Sequence, residues 1–199
     1  MNPDAIVLPG KRPKALLLDR DGTLISETGY LLEGQAYQWL EGARDALARA
    51  QKAGLGLAVV TNQSAVARGW LSLNGLASIH ARMRRDLAEA GVDLKHWLVC
   101  PHHPDFDPGA GGACDCRKPE PGLLLQAAQR LGVAPGDCWM VGDSWRDLEA
   151  GRRAGSEAIL VTTGKGREQW CEAVATDGRP PLTAPDVGSA VDWALGLPH

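Results

Sequence analysis

The sequence predicts an α/β protein, a three-layer, doubly wound parallel sheet in a single domain spanning residues 1–199. Three observations point there. Short apolar runs recur, segments of helical period lie between them, and glycines stand where several helical stripes stop. Strands that alternate with helices in this way pair in parallel and are covered on both faces.

Ala15–Leu18 is the first strand. Ala43, Ala46, Leu47 and Ala50 then share one helical face, and Gly54 can end that helix. Gly56–Val60 is the second strand. Leu76, Ile79, Met83 and Leu87 mark a second helix that stops near Gly91, and His96–Cys100 is a third strand. After a loop rich in Gly, Pro and Cys, the stripe Leu124, Ala127, Ala128 and Leu131 runs up to Gly132. Cys138–Val141 and Ala158–Val161 are two more strands, with a helix over Trp145–Arg153 between them. Beyond Gly164 the pattern weakens. Prolines stand at 180–181, a short helix is expected near Val187–Leu195, and the tail reads as packing material around one domain.

Composition bounds the function. A hydrophobic fraction of 44% with 23% charged residues suits an ordinary soluble globular chain. A net charge of −3 without a basic stripe gives a nucleic-acid partner little electrostatic support. No apolar run approaches the roughly 20 residues that span a bilayer. MNPDAIVLPGKRPK lacks the apolar length and charge order of a secretory leader. Five cysteines, three of them clustered, argue against a disulfide framework and for a cytoplasmic protein.

The stretch KALLLDRDGTLI ends a strand on two acids, Asp19 and Asp21. Neighbouring carboxylates repel, so the pair requires a cation, a proton or open water. An acidic turn in solvent is the simple alternative to a metal site. Ligands of a doubly wound sheet bind at the carboxyl ends of the strands. Thr61, Asn62, Gln63 and Ser64 follow strand two. Asp143 follows strand four with Asp147 a helical turn later, and Arg117 and Lys118 precede a helix. These are the parts of phosphoryl transfer: a carboxylate nucleophile, a divalent cation and donors around the moving oxygens. Singly, Thr61 reads as a strand-end hydroxyl, Lys118 as a surface lysine, and Asp147 as a helix-face acid beside Arg146 or Arg152.

Together DRDGTL, TNQS, CRKP and GDSWRD resemble the four motifs of the haloacid dehalogenase superfamily of aspartate-dependent phosphatases. The resemblance runs from about Ala15 to Val161. It includes the Gly-Tyr pair at 29–30 and CPHHP, and is nearest to the compact branch acting on heptose bisphosphates and histidinol phosphate. It implies a Rossmann-like core without a large cap domain, and magnesium-dependent hydrolysis of the carbon-seven phosphate of a heptose bisphosphate. Asp19 is then the nucleophile and Asp21 the general acid and base. Thr61 and Lys118 hold the phosphoryl oxygens, and Asp19, Asp143 and the Asp21 carbonyl hold Mg²⁺. It further implies a pocket formed by Glu27, Thr28, Gly29, Tyr30, Asn62, Gln63, Ser64 and Arg117, a small sugar phosphate as partner, and a monomer. Two positions depart from the pattern. Ser144 stands where a lysine or arginine is more usual, and Ala65 where NQS is usually followed by glycine.

CPHHPDFDPGAGGACDC, residues 100–116, offers a Cys-x-His pair and a Cys-x-Cys pair, which suits tetrahedral zinc. Chemistry alone leaves His102 and His103 open; the resemblance selects Cys100, His102, Cys114 and Cys116. Four protein ligands fill the ion's coordination, so the zinc is expected to be structural, shaping the loop that delivers Arg117 and Lys118. Cys138 is expected in a buried strand and Cys171 packed on the tail. His80, His96 and His199 are expected on a helix face, at a strand end and at a terminus. A zinc-ribbon-like binding module would need a basic surface. An inactive relative would lack one of Asp19, Asp21, Thr61, Lys118 or Asp143, and all five are present. Histidinol phosphate is the rival substrate; the long Cys100–Cys114 stretch favours the heptose branch.

Overall fold

The computed structural model describes residues 11–106, 114–177 and 180–197. Its strands are β1 (Ala15–Leu18), β2 (Gly56–Asn62), β3 (His96–Cys100), β4 (Cys138–Gly142), β5 (Glu157–Val161) and β6 (Thr183–Ala184). They form one parallel sheet in the order β3-β2-β1-β4-β5-β6. The helices are α1 (Ala43–Lys52), α2 (Leu73–Glu89), α3 (Gly122–Leu131), α4 (Trp145–Ala154), α5 (Gly166–Asp177) and α6 (Val187–Leu195). None among the described residues is long and apolar enough to cross a membrane.

The two sides of β1 show why the chain folds in layers. Successive side chains alternate across the sheet. Leu16 and Leu18 join Val59, Val141, Ile159 and the inner residues of α1 and α6 in one core. Ala15 and Leu17 join Val60, Met140 and the apolar stripes of α3 and α4 in the other. Every β1 residue is fully buried, as expected of a central strand that is apolar throughout.

Strand order reverses between β1 and β4, where Leu18 pairs with Val141. The crevice that opens at such a reversal is where doubly wound sheets bind ligands. Asp19 and Asp143 leave the sheet side by side at this point.

Five strands and five helices stand where the periodicity places them, with shifts at their ends. Strand β2 continues through Thr61 and Asn62, so both lie on the strand's last residues and not after it. The tail departs from expectation, because it contains the twelve-residue helix α5 and contributes β6 to the sheet edge beside β5. Cys138 is buried as expected, whereas Cys171 is exposed and does not pack on the tail. His80 lies on a helix face as expected, and that face of α2 is the buried one. His199 and residues 107–113 of the cysteine loop lie outside the described residues.

Candidate active site

A cavity of about 410 Å³ opens over the carboxyl ends of β1, β2 and β4. At its floor Lys118, 3% exposed, places Nζ 2.7 Å from Asp19 Oδ1, 2.6 Å from Asp147 Oδ1 and 2.8 Å from the carbonyl of Val60. The lysine's loop is tied to β2 by Asn62, whose side chain donates to the Lys118 carbonyl at 3.0 Å and accepts from its N–H at 3.1 Å. Burial works against the Lys118 charge, but Asp147 and then Asp19 outweigh it and hold the ammonium above its ordinary range.

Asp19, Asp143 and Asp147 bring carboxylate oxygens within 4.8 Å of one another. Burial, more than any neighbour, raises Asp19 to about 7 and Asp143 to about 8; like charges add to it. Asp147 has its own partners, since besides Lys118 it accepts from the N–H of Ser144 at 3.0 Å. This is half of a capping box, in which the Ser144 hydroxyl in turn accepts from the first turn of α4. Ser144 therefore starts the helix that aims Asp147. Asp147 is therefore not the exposed helix-face acid of the alternative reading, because it is buried with Lys118 as its ion-pair partner.

Asp143 is clasped from the other side. Its Oδ2 accepts from the N–H of Lys165 at 2.8 Å. Gly22 and Gly164, both at positive φ, press so close that a Cβ on either would strike this carboxylate. Glycine at these two positions is what lets the loops after β1 and β5 close around one acid.

Asp21 stands apart from the acidic floor, its side chain 19% exposed to the cavity. Gln63 donates to its Oδ2 at 2.8 Å and to the Thr61 hydroxyl at 2.9 Å, while its own carbonyl oxygen accepts from Arg20. Glu27 accepts from the N–H of Gly29 and meets Lys165 at 3.1 Å across the cavity mouth. Gly29, Tyr30, Thr61, Ser64 and Arg117 line the wall as the motifs suggest; Thr28 is exposed and stands outside it. His103, Ser144, Arg146, Lys165 and Gln169 join the lining without having been singled out as pocket residues.

The second cluster lies beside the Arg117–Lys118 segment. Cys100 Sγ is 3.6 Å from Cys114 Sγ and 3.8 Å from His102 Nδ1; Cys116 Sγ is 3.4 Å from Cys114 Sγ and 3.3 Å from that same nitrogen. Tetrahedral zinc with bonds of about 2.3 Å has ligand–ligand edges of about 3.8 Å, so the donor set fits a closed four-ligand site. Arg117 donates to the carbonyl of His102 at 3.0 Å, which links this cluster to the cavity wall.

The chain is also similar to known proteins. A HAD-hydrolase-like family model matches residues 115–190. The D-glycero-beta-D-manno-heptose-1,7-bisphosphate 7-phosphatase of Pseudomonas putida is 42% identical over 154 residues, 77% of this chain and 85% of that protein. The chain belongs to the heptose-bisphosphate phosphatase family. The family member of Escherichia coli is 36% identical over 187 residues, covering 93% of this chain and 90% of that one. Among solved structures, the B. bronchiseptica D,D-heptose 1,7-bisphosphate phosphatase, crystallised with magnesium and phosphate, superposes with a TM-score of 0.80 at 34% identity. It covers 92% of this chain and 98% of its own. The expected fold thus stands.

Proposed function

We propose that the chain removes the carbon-seven phosphate of D-glycero-D-manno-heptose 1,7-bisphosphate through a covalent phosphoryl intermediate on Asp19. The observation that carries this is the contrast between the surroundings of two acids. Asp19 is clamped by a buried ammonium beside Asp143, whereas Asp21 faces the open cavity within a separate hydrogen-bond network. The first arrangement suits a nucleophile whose oxygen is fixed. The second suits a group that exchanges protons with whatever enters.

An oxygen of Asp19 attacks phosphorus while the bond to the carbon-seven oxygen breaks. Asp21 gives its proton to that departing oxygen. Asp21, now ionised, takes a proton from water as the water oxygen attacks the same phosphorus; the bond to Asp19 breaks and inorganic phosphate leaves. Lys118 and Thr61 would hold the equatorial oxygens.

Asp19 and Asp143, with the Asp21 carbonyl, are the groups that would hold Mg²⁺; Asp147 suits this less, because its two oxygens are engaged separately, Oδ1 by Lys118 and Oδ2 by the Ser144 N–H. Burial disfavours the charge on both carboxyls, and a bound cation would offset that penalty. The ion would supply charge that offsets the anionic phosphoryl group. Cys100, His102, Cys114 and Cys116 would hold a structural zinc, and Arg117 would read the part of the substrate away from the scissile bond.

Side-by-side kinetics on heptose 1,7-bisphosphate and histidinol phosphate test this reading. The bisphosphate is expected to give the higher kcat/KM by about tenfold or more, the worth of one charge-assisted hydrogen bond. Equal or reversed efficiencies would assign the chain to histidinol phosphate.

A further inference from the structure

The inner face of α2 is apolar at Leu76, Ile79, Met83 and Leu87, yet it also buries His80, which is 4% exposed. A polar ring on such a face is costly unless it is hydrogen-bonded. Its ring lies 4.7 Å from that of Trp97, and its Nε2 is 3.1 Å from Nη1 of Arg20, a residue sixty positions earlier. Arg20 is itself 1% exposed. A guanidinium has donors only, so the nitrogen facing it carries the lone pair. Burial, followed by the charges of Arg20 and Arg84, lowers His80 to about 3, and the ring is neutral at physiological pH.

From this anchor the guanidinium reaches Asp21. Nη2 donates to Asp21 Oδ1 at 2.8 Å and to Gln63 Oε1 at 2.9 Å, and Nε lies 3.2 and 3.1 Å from the two Asp21 oxygens. By accepting from Arg20, the Gln63 carbonyl oxygen turns its amide nitrogen towards Asp21 Oδ2. Both Asp21 oxygens are thereby held, and the two acceptors that aim the guanidinium are Gln63 and His80. We propose that His80 is a positioning residue for the proton transfers of Asp21, acting through Arg20. This rests on the reading of Asp21 as general acid and base.

The test uses leaving groups. An alkyl oxygen, as in the heptose phosphate, needs a proton as it departs; the aryl oxide of p-nitrophenyl phosphate needs little. In His80→Phe, which keeps a ring against Trp97, kcat/KM for the bisphosphate is expected to fall about tenfold or more, with that for p-nitrophenyl phosphate within about threefold. His80→Gln, whose carbonyl oxygen can accept from Arg20, is expected to recover most of the loss. Should His80→Phe not fold, Arg20→Met gives the same reading. Parallel losses on both esters, or no loss on the bisphosphate, would overturn the positioning role. Asp21→Asn separates the two ideas. If it too lacks leaving-group selectivity, the acid assignment falls and this inference with it. Selectivity in Asp21→Asn but not in the His80 or Arg20 variants overturns the inference alone.

Discussion

Lys118 Nζ sits between Asp19 and Asp147, 2.7 Å from one carboxylate and 2.6 Å from the other, with its side chain 3% exposed. Removing one partner of a buried ionic group costs roughly 3–5 kcal/mol, because the remaining charge has no solvent to turn to. Lys118→Met leaves two acids facing each other. It is expected to lower the thermal midpoint markedly and to abolish measurable turnover. Arg is not a substitute, since a planar fork does not fit a site built for one compact ammonium, and Lys118→Arg is expected to fail as well. Retained activity in either variant would remove Lys118 from the mechanism.

The raised acids give a pH signature. Unfolded, Asp19 and Asp143 titrate near 3.8, and in the folded protein at about 7 and about 8. Between those limits the native state binds more protons than the unfolded state, so stability falls as pH rises from about 4 to about 8. Each group contributes a slope of at most ~1.4 kcal/mol per pH unit. Magnesium offsets the paired negative charges, and the stabilisation it confers is expected to grow across the same window. Unfolding midpoints measured over that range with and without magnesium check both signs. A metal-free midpoint that rises with pH would contradict the burial of these acids.

Zinc is expected at one ion per chain in protein purified without chelators, by elemental analysis. Cys114→Ser and Cys116→Ser are expected to lose the ion, stability and activity together, since ligation energy is folding energy in such a loop. Activity should fall through Arg117, whose guanidinium is anchored on the His102 carbonyl. Zinc-free protein with full activity would contradict this coupling.

Arg117 is expected to act on the substrate's far end. Arg117→Ala should lower kcat/KM for the bisphosphate by roughly tenfold to a hundredfold, from the loss of a charge-assisted hydrogen bond. A simple monophosphate should be affected far less. Equal losses on both would make Arg117 a structural link between zinc loop and cavity.

What was legible in the sequence follows physical range. Strands β1 to β5 and helices α1 to α4 announce themselves by local periodicity, and α6 by its apolar content. By contrast α5 has no apolar stripe, and only Ala173 of its described side chains is buried, so periodicity has nothing to find. Strand β6 is two residues long, too short to show a period, and follows two prolines. In the site, DRDGTL, TNQS, CRKP and GDSWRD bring the acids and Lys118 into view because the order of motifs mirrors the order of strands. The partnership of Asp147 with Lys118 joins residues 29 positions apart, and no local pattern states it. A signal for part of it was present, since Ser144 and Asp147 have capping-box spacing. His80 is the opposite case, because its partner Arg20 becomes visible only when α2 lies against the loop after β1.

The covalent step is the claim on which the other assignments depend, and it is open to direct chemical capture. Enzyme quenched in acid during steady-state turnover of heptose 1,7-bisphosphate, reduced with borohydride and mapped by peptide mass spectrometry should carry homoserine at position 19, the product of reducing an acyl phosphate there. Asp19→Asn should give none. A modified residue at any other position, with Asp19 intact, would contradict a phosphoryl intermediate on Asp19.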